Sequence, residues 1–215
     1  MVVVQTNVFH SLSVWQWDSL YLIDMFSASG KKTITLDAQS SLTYLIVVSS
    51  ATIDIEVVTA GPEATCKIFA LFLSQKDKQV QWSITASLQH SSSSADVDLI
   101  SFLYDWAKLM FDGSIDIAPY VNNVHGRLLQ QNVVLGKDIS VKILPQLNVA
   151  SHDVCAAHGA KIDSLDTQKL FYMMSRGLTQ KQSQKLLVDW YITHVLSFFT
   201  ALKDTDIQKI YAILS

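Results

Sequence analysis

The sequence predicts a mainly β body followed by a small helical domain at the C-terminus. From about residue 30 to about residue 150, short apolar runs rich in β-branched residues return every ten to twenty residues or so. Almost no two-residue Asn-Gly or Asp-Gly turns separate these runs, which argues against tight hairpins. After about residue 165, the apolar residues repeat with helical spacing. These observations favour a β sandwich or a solenoid of stacked coils, and they do not choose between the two.

Length and composition fit one domain with a possible apolar contact surface. The chain has 215 residues, of which 49% are hydrophobic and 16% charged, and its mean hydropathy is +0.25. An apolar surface kept for a partner explains these values, and so does a large, well-filled sheet core. The net charge is −3 and no basic stripe is present, so nucleic acid is not an expected partner.

The sequence also predicts no membrane segment and a reducing compartment. The longest apolar runs, such as "IFALFL", are far shorter than the roughly 20 residues of a membrane helix. The N-terminus lacks the positive region of a signal peptide. Cys66 and Cys155 are the only cysteines, so no disulfide framework is expected. We therefore expect a cytoplasmic protein.

The predicted strands follow one another through the body. They are "KTITLDA", "TYLIVVSS", "ATIDIEVVT", "CKIFALFLS", "QWSITASLQ", "GSIDIAP", "LQQNVVLG" and "SVKILPQLNVAS". The segment "DVDLISFLYDWAKLMFDG" fits either a helix or two buried strands around a turn at Asp105. The first thirty residues or so are uncertain and favour strand and loop.

The first predicted C-terminal helix follows a cap at Ser164 or Asp166. We expect Leu170, Phe171 and Met174 on its inner face. Gly177 stands where a left-handed residue would end this helix.

Two further helices are predicted after Gly177. Thr179 and Gln182 form a capping box at the start of the second helix. A third helix is capped by Asp204 or Thr205. The apolar residues of the second helix are Leu186, Leu187, Trp190, Tyr191, Val195 and Phe198, and those of the third are Ile207, Ile210, Tyr211 and Leu214.

The segment from His158 to Leu178 links the last predicted strand to the first predicted helix. It carries His158, Gly159, Ala160, Leu165, Asp166, Leu170, Phe171, Tyr172, Ser175, Arg176, Gly177 and Leu178. These residues are in step with the signature His-Gly-Ala-Thr-Val-Gly-x-Leu-Asp-x-x-x-Leu-Phe-Tyr-Leu-x-Ser-Arg-Gly-Ile, and through them the chain resembles the SufB/SufD family, the scaffold proteins of the SUF iron–sulfur cluster assembly machinery. Upstream strands match as well, through Phe111, Gly113, Ile115, Ile117, Gln130, Asn132, Val134, Leu135, Leu144, Pro145, Leu147 and Val149.

The resemblance implies a right-handed parallel β-helix over residues 1–160 and a helical domain over residues 161–215. It implies a non-catalytic assembly subunit that dimerises through the β-helix, with a SufB-like partner or with itself. It also implies that a SufC-like ATPase of the ABC type docks on the helical domain. The candidate residues for that contact are Leu170, Phe171, Tyr172, Arg176 and Trp190.

Departures from the family pattern make the chain more similar to SufD than to SufB, and shorter than the usual family member. SufB carries a cysteine where this chain has Ile139, and a His-Glu pair where it has His158 and Gly159. SufD often has a cysteine two residues before the histidine. That position is Ala156 here, and the nearest thiol is Cys155.

His158 is the first candidate for a cluster or iron site, by its family position, and Cys155 is the second. Iron–sulfur clusters take thiolates and occasionally histidine as ligands. Two cysteines cannot complete such a site, so we expect a transient cluster at a shared interface and none bound by this chain alone. In an extended strand, residues spaced i, i+3 point to opposite faces, whereas a coil corner could bring Cys155 and His158 together. A turn histidine bonded to backbone is the alternative for His158.

Enzyme motifs are absent from the sequence. It has no Gly-rich phosphate loop, no Gly-x-Ser-x-Gly and no His-Glu-x-x-His. Two alternatives to the assembly subunit stay open. One is a degenerate β-helix that only self-associates, and the other is a carbohydrate-active β-helix.

Overall fold

The computed structural model describes residues 2–6, 10–48, 51–74, 79–165, 167–199 and 202–214. Within them the chain forms thirteen strands followed by three helices. The strands are β1 (Val2–Thr6), β2 (Leu12–Val14), β3 (Ser19–Phe26), β4 (Gly30–Leu36), β5 (Ser41–Val48), β6 (Thr52–Thr59), β7 (Thr65–Ser74), β8 (Gln79–Leu88), β9 (Ser94–Leu103), β10 (Lys108–Ile117), β11 (Asn122–Val134), β12 (Ser140–Val149) and β13 (Asp153–Ser164). The helices are α1 (Thr167–Ser175), α2 (Gln180–Leu196) and α3 (Asp204–Leu214).

The strands alternate between two parallel sheets. The odd-numbered strands form a seven-stranded sheet in the order β1-β3-β5-β7-β9-β11-β13, and the even-numbered strands form a six-stranded sheet from β2 to β12. Neighbouring strands in both sheets run parallel. Each coil therefore places one strand in each sheet, and successive coils stack. The predicted parallel β-helix is confirmed, and its predicted right-handed sense agrees with the strong preference of parallel crossovers.

The core of the β-helix lies between the inner faces of the two sheets. Side chains alternate along each strand, so every second residue is buried there. Trp82 packs between Phe72 and Phe111, whose tilted rings have centroids 3.8 Å and 4.6 Å away. Cys66 is 2% exposed and belongs to this core, as the sequence predicted.

A polar trio lies inside the first coils of the β-helix. Lys32 and Asp24 are buried and form an ion pair through Lys32 Nζ and Asp24 Oδ2. The Tyr44 hydroxyl donates to the same carboxylate oxygen at 2.7 Å. Burial, and then the charge of Asp24, raises the pKa of Tyr44 well above its ordinary value. The trio satisfies charges that an apolar interior would otherwise leave unpaired.

Single left-handed residues turn the chain at one corner of the coils. Gln39 and Glu63 have φ of 55° and 59°, and Trp17, Ser92 and Tyr120 have φ of 66°, 58° and 61° at the corresponding corners of other coils. Gln39 Nε2 donates to Glu63 Oε2 of the next coil at 3.0 Å. These corners replace hairpin turns, which explains why Asn-Gly pairs are almost absent.

Glycine is needed where stacked corners approach most closely. A Cβ on Gly61 would lie 2.2 Å from the backbone nitrogen of Ala38, and a Cβ on Gly136 would lie 2.2 Å from that of Asp105. Both contacts are to backbone, which cannot rotate away as a side chain can.

The helices cover one end of the outer face of the seven-stranded sheet. α2 buries Val188, Ile192 and Val195, and α3 buries Ile210 and Leu214. They pack with a second apolar cluster on that face, which includes Ile23, Leu45, Leu71, Phe102 and Val133. None of the helices in the described ranges is long and apolar enough to cross a membrane.

Two helical faces differ from the prediction. In α1 only Leu170 packs against the second apolar cluster, whereas Phe171 and Met174 are exposed. Of the apolar residues predicted for the second helix, Leu187, Tyr191 and Val195 pack against the second apolar cluster. Leu186 and Trp190 are exposed, and so is Phe198, which lies beyond the end of α2. Val188 and Ile192, which were not among the predicted residues, are also buried against this cluster. The predicted apolar face of α3 is confirmed.

The local signals at the strand and helix ends are largely confirmed. The ambiguous segment forms β9 and β10 on either side of a turn that contains Asp105. Thr179 makes the capping box with Gln182, and Gly177 has φ of 95°. Ser164, one of the two predicted caps of the first helix, is instead the last residue of β13. The last strand therefore runs past residue 160, the predicted end of the β-helix. The alternative cap, Asp166, lies outside the described residues.

Candidate functional site

The last coil leaves one end of the β-helix open. β12 and β13 are the edge strands of their sheets, and no described strand pairs with their outer edges. Apolar residues on their inner faces are only partly buried against the core, among them Ile143, Leu147, Val154 and Ala156. An apolar end with unpaired edges is a surface on which another chain can stack.

His158 lies on the inner face of this last coil. It occupies the middle of β13 and pairs in register with Leu128, which is fully buried in the core. Side chains that pair in register across parallel strands share a face, so the His158 imidazole stands above Leu128. No further coil covers it within the described residues, and His158 is therefore exposed. The imidazole faces whatever stacks on the open end.

Cys155 lies on the opposite face of β13. It pairs in register with His125, an exposed residue on the outer face of the seven-stranded sheet. The structure therefore separates the two predicted ligands, because β13 is an extended strand and not a corner. Among the described residues, no group of three or more His, Cys, Asp or Glu side chains is arranged to hold a metal ion.

The outer face beside Cys155 carries a charged cluster. Arg127 donates to Asp96 at 3.1 Å and to Asp98 at 2.9 Å. His125 Nε2 lies 3.6 Å from Asp96 Oδ1. Burial raises the pKa of Asp98 despite the opposing effect of Arg127. The carboxylates are paired with Arg127, so the cluster stabilises the sheet and leaves Asp96 and Asp98 poorly suited as metal ligands.

A buried polar network lies directly below the last coil, and the sequence reasoning did not assign it a role. Asn132 Nδ2 donates to the main-chain carbonyl of Lys161 in β13 at 3.0 Å. Asn132 Oδ1 accepts from Ser101 Oγ at 2.7 Å and from Gln130 Nε2 at 3.0 Å. Gln130 Oε1 is buried without a partner in the described part of the chain. Polar residues at inward positions of β11 were the available signal, since those positions are otherwise apolar.

The helical domain carries an exposed apolar surface. α1 has no buried residue, and Phe171 and Tyr172 are 75% and 59% exposed. Arg176 lies over the Tyr172 ring at 5.3 Å. Trp190 on α2 is also exposed, whereas Leu170 packs inward. Four of the five candidates for a partner contact are therefore accessible.

A groove separates α2 from the outer face of the sheet. Its volume is about 640 Å³, and Phe69, Leu129, Gly159, Trp190 and His194 are among the residues that line it. Trp190 and His194 stack with ring centroids 6.1 Å apart. Trp190, a predicted docking residue, lines this groove, which no pattern in the sequence predicted.

Comparisons with known proteins agree with the architecture. Residues 26–190 match the family model described as the SUF system FeS cluster assembly, SufBD core domain. The iron-sulfur cluster assembly protein SufD of Escherichia coli (strain K12) is 31% identical over 105 residues, which are 49% of this chain and 24% of that protein. Protein ABCI7, chloroplastic, of Arabidopsis thaliana is 23% identical over 203 residues, which are 92% of this chain and 42% of that protein.

A third relative extends the comparison to another bacterium. The iron-sulfur cluster assembly SufBD family protein ML0594 of Mycobacterium leprae (strain TN) is 21% identical over 192 residues, covering 85% of this chain. The chain spans less than half the length of these three relatives, at 24%, 42% and 48%. Because the family model matches well over half of its residues, the chain belongs to the SufBD family of the SUF iron–sulfur cluster assembly system.

Proposed function

We propose that the chain is a non-catalytic subunit of an iron–sulfur cluster assembly complex, working in a reducing compartment such as the cytoplasm. The observation that carries this proposal is the inward-facing, uncovered imidazole of His158 at the open end of a SufBD core. The iron or cluster is cargo that passes through the complex. The chain contributes one nitrogen ligand, and a partner contributes the thiolates that clusters require.

The open end is the proposed dimer surface. The free edges of β12 and β13 offer main-chain donors and acceptors, and the partly buried apolar residues inside them offer area to exclude water. The partner is a SufB-like chain or a second copy of this one. Stacking a partner coil here would bury His158 at the junction of the two chains, where ligands from both sides can meet.

α1 and the exposed part of α2 are the proposed docking surface for a SufC-like ATPase of the ABC type. A nine-residue helix that buries none of its residues has little stability of its own, since helices in proteins depend on packing. Exposed aromatic side chains concentrate binding energy when a partner covers them. Phe171, Tyr172 and Trp190 meet that description, and the Arg176 guanidinium lies over the Tyr172 ring.

The two surfaces are mechanically connected. α2 and α3 pack on the outer face of the sheet that ends in β13, and Val133 of β11 belongs to that packing. β11 is the strand that holds β13 in register. Movement of the helices by a nucleotide-driven partner would therefore reach the strand that carries His158.

Co-expression tests the docking surface. The chain is produced with an ABC-type ATPase of the SUF system, and the complex is captured through a tag on the ATPase. The double variant Phe171→Ser with Tyr172→Ser should lose the complex, whereas Trp106→Ser should keep it. Trp106 is a matched control because it is also an exposed aromatic residue, but it lies at a corner of the β-helix. Capture of the same amount of complex with the Phe171→Ser, Tyr172→Ser double variant as with Trp106→Ser would exclude this docking surface.

A self-associating structural protein is the second candidate. The same open end favours it, because the edges of β12 and β13 can stack on a second copy without any cluster. That candidate predicts a homodimer that forms with no ATPase and is unaffected by the Phe171 and Tyr172 changes. Capture of the ATPase complex would decide against it.

A further inference from the structure

The hydrogen-bond network below the last coil fixes the orientation of the Gln130 side chain. The main-chain carbonyl of Lys161 can only accept, so the Asn132 atom that faces it at 3.0 Å is the amide nitrogen. The other end of Asn132 is therefore its oxygen, which accepts from Ser101 and Gln130. An oxygen cannot donate, so the Gln130 atom that faces it is the amide nitrogen. The remaining atom of Gln130 is consequently a carbonyl oxygen.

That carbonyl oxygen is an unpaired, buried acceptor on β11, the strand directly below β13. Gln130 is 3% exposed, and Oε1 has no hydrogen-bond partner among the described residues. An unpaired acceptor away from water is unfavourable, and native proteins rarely leave one without a reason. The residue paired with Gln130 on β13 is Ala160, whose methyl group leaves room above the carboxamide.

His158 is the nearest side chain of the last coil that can supply a donor on this inner face. It precedes Ala160 by two positions in β13, so both point inward. Strand spacing and rise separate the Cβ atoms of His158 and Gln130 by roughly 8 Å. An imidazole and a carboxamide extending toward each other span such a diagonal.

We propose that Gln130 is the positioning residue for His158. Its carbonyl oxygen accepts the ring N–H of the imidazole, which fixes the tautomer and turns the other ring nitrogen, with its lone pair, toward the open end. A neutral imidazole has one donor and one acceptor nitrogen, so binding the donor decides which nitrogen is available as a ligand. This role deepens the proposed function and rests on it for its purpose, whereas the contact itself is a property of this chain.

The experiment is nuclear magnetic resonance of the full chain labelled with 15N-histidine. Six histidines give a simple spectrum, and His158→Gln identifies the His158 signals. We expect a single His158 tautomer with a ring N–H that is protected from exchange with water. Gln130→Met removes the acceptor and should abolish that protection. Gln130→Glu restores an oxygen acceptor and should retain it.

Ser101→Ala is the matched structural control. It removes a hydrogen bond from the same network but leaves the Gln130 carbonyl in place, so the His158 signals should not change. Three results would overturn the proposal: a freely exchanging His158 ring in the unmodified chain, an unchanged ring in Gln130→Met, or the same loss in Ser101→Ala. The first can be read even if Gln130→Met does not fold. No ATPase or cluster takes part, so this outcome is independent of whether the complex forms.

Discussion

Cys155 and His158 point to opposite faces of one edge strand. His158 stands over Leu128 on the inner face, and Cys155 stands beside His125 on the outer face. A single metal ion or cluster edge bound by this chain cannot reach both side chains. The geometry therefore assigns them different environments, although they are only three residues apart in the sequence.

Selective thiol labelling checks the two cysteine environments. Cys155 is exposed, whereas Cys66 is buried in the core. We expect a disulfide reagent to modify Cys155 rapidly in the folded chain and Cys66 only after unfolding, because the thiolate is the reactive form and needs access. The folded Cys155→Ser variant should not react. Rapid reaction of that variant would show that Cys66 is not in a closed core.

The pH dependence of stability gives a second check on Cys66. Burial, assisted by the charge of Asp96, raises the pKa of this thiol from 9.0 to about 12. Above pH 9 the unfolded chain loses the proton while the folded chain keeps it, so the contribution of Cys66 to stability declines as the pH rises. The stability advantage of the unmodified chain over Cys66→Ala should therefore shrink between pH 9 and pH 12. A constant difference in urea unfolding across this range would contradict the burial.

Loss of Lys32 should strongly destabilise the β-helix. Lys32→Met leaves Asp24 buried without its cation, which costs roughly 3–5 kcal/mol for an uncompensated buried charge. The control is Lys31→Met, an exposed neighbour paired with Asp54 at 3.2 Å, for which we expect a change below about 1 kcal/mol. Urea unfolding measures both. Similar values for the two variants would mean that the inner ion pair does not form.

Corner glycines should be less replaceable than the glycine of the last strand. Gly136→Ala places a Cβ 2.2 Å from the Asp105 backbone and should cost more than about 2 kcal/mol through displaced corners. Gly159→Ala meets only the Leu129 side chain at 3.2 Å, which can rotate, so its effect should be smaller. Thermal unfolding of the two variants tests the stacking of coils. Equal unfolding temperatures for Gly136→Ala and Gly159→Ala would contradict the close stacking of the corners.

The fold was largely predictable because coil stacking leaves a period-two pattern in strands whose outer face no helix covers, such as β6 and β10. β6, "TIDIEVVT", alternates from end to end, and its inner residues are buried as expected. Helix ends were predictable because their signals are local. Thr179 and Gln182 form a capping box at the start of α2, and Gly177 takes a left-handed conformation after α1. The right-handed solenoid came from the family resemblance, since periodicity alone also fits a sandwich.

Periodicity predicted the buried face of α3, but it did not predict which side of α1 and α2 is covered. Phe171 lies on a helix with no buried residue, and Trp190 lies on a helix whose buried residues include Val188 and Ile192, yet both aromatic side chains are exposed. The position of the sheet decides which side of each helix is covered. The Gln130–Asn132 network was hidden for a related reason. Its members come from β9, β11 and β13, and only the register of these strands brings them together.

Anaerobic cluster reconstitution of the purified assembly complex measures whether His158 takes part in cluster assembly. Cluster yield, read from the visible absorbance and from iron and sulfide content per complex, is compared for the unmodified chain, His158→Ala and Cys155→Ser. We expect His158→Ala to lower the yield at least several-fold while the complex stays intact, and Cys155→Ser to match the unmodified chain. An unchanged yield in His158→Ala, or a loss confined to Cys155→Ser, would contradict this role of His158.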